Sequence, residues 1–239
     1  GEGNLFQSKV YFPNDLVALT SPDGRLEYHY SRTDFWQEKT YLTYNKVVGN
    51  HLINAMADLS WSERVYRTHT SSRGGYADNY SGADNIGAGT IPRDPTSEYQ
   101  RWAMNSYFLR GAYTYNDKYS ATVTARIDGS SKFGDNNKYA FFPSAGLAWI
   151  TSSEDVMKGA TWIDQLKLHT SYGVTGNSEI PVYRSLATIE SGSRVVGGNL
   201  VSVSNANRLA NPDLKWERTG RWDIGFNLNT FGNRLNFDV

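Results

Sequence analysis

The sequence predicts an all-β chain: antiparallel strands of a transmembrane β-barrel wall, with long extracellular loops. Three observations predict it. Apolar and polar residues alternate with period two through much of the chain. No run approaches the roughly 18 consecutive apolar residues of a transmembrane helix, whereas barrel strands alternate and keep average hydropathy low. The connections between alternating stretches are tight at one end of the strands and long at the other.

The alternation can be followed strand by strand. Ile53, Ala55, Ala57, Leu59 and Trp61 interleave with Asn54, Asp58 and Ser60. Ala121, Val123, Ala125 and Ile127 fall on one face and Thr122, Thr124, Arg126 and Asp128 on the other. Phe141, Ala145, Leu147 and Trp149 share a face opposite Ser144 and Gly146, and Leu166, Leu168 and Tyr172 lie opposite Lys167, His169 and Ser171. Near the C-terminus Trp222, Ile224, Phe226 and Leu228 interleave with Arg221, Asp223, Gly225, Asn227 and Asn229. Alternation alone also fits a soluble antiparallel sheet with one wet face.

Connection lengths discriminate better. Tight hairpin signals stand at Gly49-Asn50, Asn116-Asp117 and Gly232-Asn233, each between two alternating runs. Between them lie two polar, Gly/Ser/Asn-rich connections, at roughly 62–104 and 175–214, longer than compact soluble domains usually tolerate without structure. On the short-turn side 151–165 is the exception, and its Val156, Met157, Trp162 and Ile163 fit a helical turn. Tyr113, Tyr115 and Trp149, beside strand ends, suit an interfacial aromatic girdle, although the strand propensity of aromatics alone also accounts for them.

Composition agrees. Of 239 residues, 39% are hydrophobic but 14% are aromatic, with 16 Tyr and 7 Trp, so aliphatics are thin and aromatics abundant. Lys+Arg and Asp+Glu balance at 24 each, and no net field points to nucleic acid. Cysteine is absent, which removes disulfides and thiol chemistry.

Catalytic and nucleotide motifs find little support. GSSKFGDN, at 129–136, has the glycine spacing of a phosphate loop, but Asp135 stands where that loop needs lysine. The stretch 129–139 reads instead as a strand-to-strand loop whose Gly129, Gly134 and Asn136-Asn137 supply turn conformations. Asp128, Asp135 and Asn137 offer oxygen ligands for calcium, without the order of a calcium loop. His29, His51, His69 and His169 are scattered singly, with no metal-ligand spacing. No cofactor is expected.

Three blocks carry a family likeness: LRGAYTYNDKYSATVTARIDGSSKFGDNNKYAFFPSAGLAWITSSED, LKLHTSYGVTGNSEIPVY and NPDLKWERTGRWDIGFNLNTFGNRLNF. Together they resemble the barrel region of SusC/RagA-type TonB-linked outer-membrane transporters of Bacteroidetes. The likeness runs from about Tyr107 to the last residue, and YLTYNKVVGNHLINAMADLSW upstream fits the same barrel. It implies an energised importer of oligosaccharides or peptides, set in outer-membrane lipid, with a SusD-like surface lipoprotein as lid and TonB as energy donor. No plug domain, TonB box or signal peptide is recognised in the span, so residues 1–239 are expected to be a partial barrel domain of a longer protein. The resemblance places Arg126, Asp128, Lys167, His169, Arg221 and Asp223 on the lumen or plug side. Trp102, Tyr76, Tyr80 and Tyr183 are loop aromatics that fit two roles equally, stacking on sugar rings or holding the loops together. The alternative from another class is a soluble all-β carbohydrate-binding module, a sandwich whose apolar faces meet inside.

Overall fold

In the computed structural model, residues 2–13, 24–77 and 84–239 are described. Tyr80 and Gly82 lie outside them. Twelve strands run through the described residues: β1 Glu2–Phe12, β2 Arg25–Val48, β3 His51–Gly74, β4 Ile91–Pro92, β5 Thr96–Tyr115, β6 Tyr119–Ser130, β7 Tyr139–Ile150, β8 Ile163–Asn177, β9 Thr188–Val196, β10 Asn199–Arg208, β11 Glu217–Thr230 and β12 Leu235–Asp238. The remaining regular structure is three 3-10 turns, so the all-β antiparallel expectation holds. The chain divides into two compact units, Gly1–Gln37 with Ser62–Trp102, and Glu38–Trp61 with Ala103–Val239.

In the first unit β1 pairs antiparallel with β2 from Glu2 against Phe35 to Phe12 against Arg25. Arg73 and Gly74 at the end of β3 pair with β4. Leu26 and Tyr76 are its buried hydrophobic side chains among the described residues, and Tyr11 meets the Tyr76 ring edge-on at 5.8 Å. Much of the expected loop at 62–104 is therefore strand, since β3 continues to Gly74 and β5 begins at Thr96. Both faces of those extensions are polar, so no apolar period betrays them. Yet Val65, Tyr66, Thr68 and Thr70 carry the branched and aromatic side chains that fit a pleated surface.

The second unit is a meander. β2, β3, β5, β6, β7, β8, β11 and β12 follow one another as hydrogen-bonded neighbours, and β9 and β10 form a separate two-stranded ribbon inserted between β8 and β11. The ribbon turns at Gly197-Gly198, both at positive φ, within the expected 175–214 loop. The tight turns occur where the sequence places them. Gly49 has positive φ, as do Asn116 and Asp117, while Phe231, Gly232 and Asn233 form the last turn. These turns share one end: the Asn116 amide donates to the Asn50 carbonyl at 2.7 Å, and the Ile150 amide to the Lys118 carbonyl at 2.8 Å. Of the 151–165 stretch, Val156 and Met157 do sit in a 3-10 turn, but Ile163 already opens β8.

At the opposite end sits a small aromatic core of Phe133, Phe142 and Trp216, flanked by Met104, Ala140, Val174, Ile180 and Leu214. It clamps the β6–β7 loop to the segment entering β11. The Gly134 amide donates to the Leu214 carbonyl at 2.9 Å, and the Trp216 indole donates to the Lys138 carbonyl at 3.0 Å. The turn reading is met in part. The Asn137 amide donates to the Gly134 carbonyl at 2.9 Å, closing a turn over 134–137 without positive φ at Gly134, Asn136 or Asn137, whereas Gly129 is a strand residue. Gly129 lies inside β6, and Gly134 is needed because a Cβ there would fall 2.0 Å from the Pro212 carbonyl oxygen.

Candidate functional site

Register decides which side chains share a face of the second unit's sheet. Tyr107 pairs with Ile127 and Ile127 with Phe141; Ala121 pairs with Leu147, Leu147 with Thr170 and Thr170 with Ile224. On this face no charged side chain occurs within 107–115 of β5, 119–127 of β6, 141–149 of β7, 166–174 of β8 or 222–228 of β11. Its residues are also uncovered: Val123 is 59% exposed, Leu147 61% and Ile224 72%. A soluble sandwich would bury them against a second sheet, so the carbohydrate-binding-module alternative is not what this face describes. The one aliphatic hydroxyl in these rows of the face is internally satisfied, because Thr170 Oγ1 donates to the Asp223 carbonyl at 3.1 Å and accepts from the Trp222 indole at 3.0 Å.

Toward the tight turns this face ends in an aromatic ladder. The His51 ring lies 5.0 Å from Tyr115, Tyr115 stacks on Tyr119 at 6.4 Å, and Tyr119 on Trp149 at 6.3 Å. Glu154 gathers its polar tips, accepting from the Tyr119 hydroxyl at 2.6 Å, the Trp149 indole at 3.2 Å and the Lys118 ammonium at 3.4 Å. The Tyr119 hydrogen bond, followed by that of Trp149, holds the Glu154 carboxyl below its ordinary value. A group with a depressed folded pKa stabilises the fold above its unfolded value and loses that contribution as pH falls through the folded one. Acidification below the usual carboxylate range is therefore expected to change the Trp149 fluorescence of the full-length protein. Glu154→Gln should remove that acid transition; an identical titration in the variant would sever the link to this carboxyl.

The opposite face is polar and hydrogen-bonded across strands, for example Thr114 to Ser120 at 3.0 Å and Thr124 to Ser144 at 2.5 Å. All six expected lumen residues lie on it, in two groups. Arg126 Nε donates to both Asp128 oxygens, at 2.8 and 2.7 Å, its Nη2 reaches Ser106 Oγ at 3.3 Å, and Asp128 is buried. In the second group Asp223 lies 3.4 Å from Arg221 Nη2 and 3.9 Å from His169 Nε2. Lys167 sits two residues before His169, opposite Asn227, and makes no ion pair among the described residues. Gly225 makes room for the imidazole, since a Cβ there would stand 2.7 Å from His169 Nε2. The groups are not one site. Asp128 pairs with Ala140 and His169 with Ala148, so they are about 26 Å apart along the strand direction.

The calcium ligands do not converge. Asp128 is held by Arg126, Asp135 pairs with Lys138 at 2.6 Å, and Asn137 Nδ2 donates to the Asp213 carbonyl. No group of three potential metal ligands is found among the described residues. Of the loop aromatics, Tyr76 is buried, with its hydroxyl donating to the Ile86 carbonyl at 3.3 Å. Sequence reasoning missed the Lys39–Asp58 ion pair at 3.0 Å on β2 and β3, whose signal was an isolated acid in an alternating strand.

This two-faced meander has counterparts among known proteins. The family model described as TonB dependent receptor-like, beta-barrel matches residues 3–239. The chain belongs to that family. TonB-dependent receptor P3 of Formosa agariphila is 34% identical over 223 residues, which is 93% of this chain and 22% of the relative. TonB-dependent receptor SusC of Bacteroides thetaiotaomicron is 31% identical over 150 residues, 60% of this chain and 15% of SusC. The structure entitled RagAB peptide transporter superposes with a TM-score of 0.85 over 98% of this chain and 26% of that one, at 23% identity, a likeness of fold. The chain thus spans about a fifth of the length of these curated relatives, within a receptor family and not an enzyme class.

Proposed function

We propose that this chain forms wall and extracellular loops of an outer-membrane TonB-dependent importer of oligosaccharides or peptides. The observation that carries this reading is the uncharged, uncovered face of β5–β8 and β11, backed by a polar face of the same strands. Such a sheet separates hydrocarbon from an aqueous lumen. Arg126, Asp128, Lys167, His169, Arg221 and Asp223 then line the lumen or meet a plug, and a SusD-like lipoprotein covers the long-loop end while TonB drives uptake. The lipoprotein partner and the choice between glycan and peptide cargo follow from the SusC/RagA resemblance; the SusC relative agrees with that kinship, and the RagAB likeness, to a structure entitled a peptide transporter, agrees in fold.

Orientation supplies the test. In the full-length protein, an epitope tag near Gly192, on the ribbon that ends in the Gly197-Gly198 turn, is expected to bind antibody on intact cells. A tag at Asn116-Asp117 should become reachable only after the outer membrane is permeabilised. Labelling of the Asn116 tag on intact cells would reverse the orientation, and failure of the protein to fractionate with outer membranes would end the reading.

A further inference from the structure

A furrow of about 860 Å³ crosses the apolar face next to the aromatic ladder. One wall is Tyr119, Trp149 and Leu168; the other is Ala121, Leu147 and Ile224. Its floor is backbone, because the row between the walls, in which Ala148 pairs with His169 and His169 with Gly225, points its side chains to the polar face. We infer that this furrow holds an acyl chain of a bilayer phospholipid from the leaflet nearer the tight turns. The inference rests on the outer-membrane reading and adds to it a lipid retained at one place.

Chemistry selects this occupant. The walls carry no charge, and the polar tips at the ladder are already engaged, since the Tyr119 hydroxyl and the Trp149 indole both donate to Glu154. Protein surfaces that associate inside a bilayer rely on small residues for close approach and on polar side chains bonded across the seam, whereas these walls are mostly aromatic and branched and leave no free polar tip. Lipid and protein side chains are equally apolar inside a bilayer, so retention there comes from close packing rather than from escape from water. A furrow walled on both sides by aromatic and branched side chains offers an acyl chain more neighbouring atoms than the rows beyond it. Its continuity with the uncharged face, and its start at the aromatic ladder, place the chain in the leaflet on the tight-turn side.

The test uses the full-length protein, extracted from outer membranes in mild detergent, exchanged with phosphatidylethanolamine vesicles and weighed by native mass spectrometry. The wild type should retain a phosphatidylethanolamine adduct. Ala121→Phe, which fills the furrow, should abolish it, and Val123→Phe, on the same face but outside the furrow, should keep it. Heat-modifiable migration on gels checks that both variants fold, and outer-membrane fractionation separates failure of this inference from failure of the membrane reading. Absence of the adduct in the wild type, or equal retention by both variants, overturns the inference. So does a wild-type dimer lost specifically in Ala121→Phe, which would assign the furrow to a second copy of the chain.

Discussion

Replacing Trp216 by alanine is expected to cost about 3–5 kcal/mol of local stability, the usual consequence of removing a buried indole. Trp216 is 6% exposed, stacks on Phe133 at 4.5 Å and meets Phe142 edge-on at 5.5 Å. Its indole also satisfies the Lys138 carbonyl, which the alanine would leave without that partner. The loss should be felt where the clasp acts, in the β6–β7 loop and the segment entering β11. Hydrogen exchange of the full-length protein in detergent should show faster exchange at the Gly134 amide, which donates to Leu214, and at Asn136, which donates to Pro212. Trp216→Phe should recover part of the protection by keeping an aromatic surface against Phe133. Unchanged exchange at both amides in Trp216→Ala would show that the loops hold together without the indole.

Arginine at position 224 is the second large effect expected. Ile224 is among the most exposed apolar residues of β11 and stands between Trp222 and Phe226 on the uncharged face. A guanidinium costs about 2–4 kcal/mol at the bilayer midplane and less toward the interfaces, and Ile224, one row in from the aromatic ladder, stands between the two. Ile224→Arg should therefore lower folding yield into lipid vesicles. Asn227→Arg should do so far less, since its side chain turns to the polar face, where Asn227 already donates to Asp238 at 2.5 Å; Lys167 opposite is a repulsive neighbour. Equal yields, or the reverse order, would refute a lipid-facing position for Ile224.

These two positions mark how far the sequence could be read. The strand holding Ile224 was evident because one of its faces is wholly apolar, and the same asymmetry exposed β6, β7 and β8. The outer parts of β3 and β5 stayed hidden because both faces there are polar, and strand formation rests on pairing with neighbours that no local pattern announces. Arg126 and Asp128, two residues apart in one strand, were bound to share a face; His169 and Asp223 meet only through the β8–β11 register, which nothing local specifies. Trp216 and Phe133 were equally remote, 83 residues apart and each in a polar loop. Gly134 does open a turn, accepting from the Asn137 amide, but what requires a glycine there is the closeness of Pro212, which no spacing announces.

The insertion of the β9–β10 ribbon has a kinetic consequence. From β5 to β8 successive strands are joined by the tight turn at 116–118 and by the connections 131–138 and 151–162, all far shorter than the segment between β8 and β11, so these pairings can close earlier. β11 cannot, because its first residue, Glu217, must find Asn177 across the whole inserted segment. That makes the β8–β11 seam the late step in zipping the meander. Closure entropy grows only with the logarithm of length, so deleting the ribbon, which roughly halves the connection, would ease this step by about 0.6 kcal/mol. The chain can therefore carry a large external ornament at its slowest seam and lose little speed in assembling the wall.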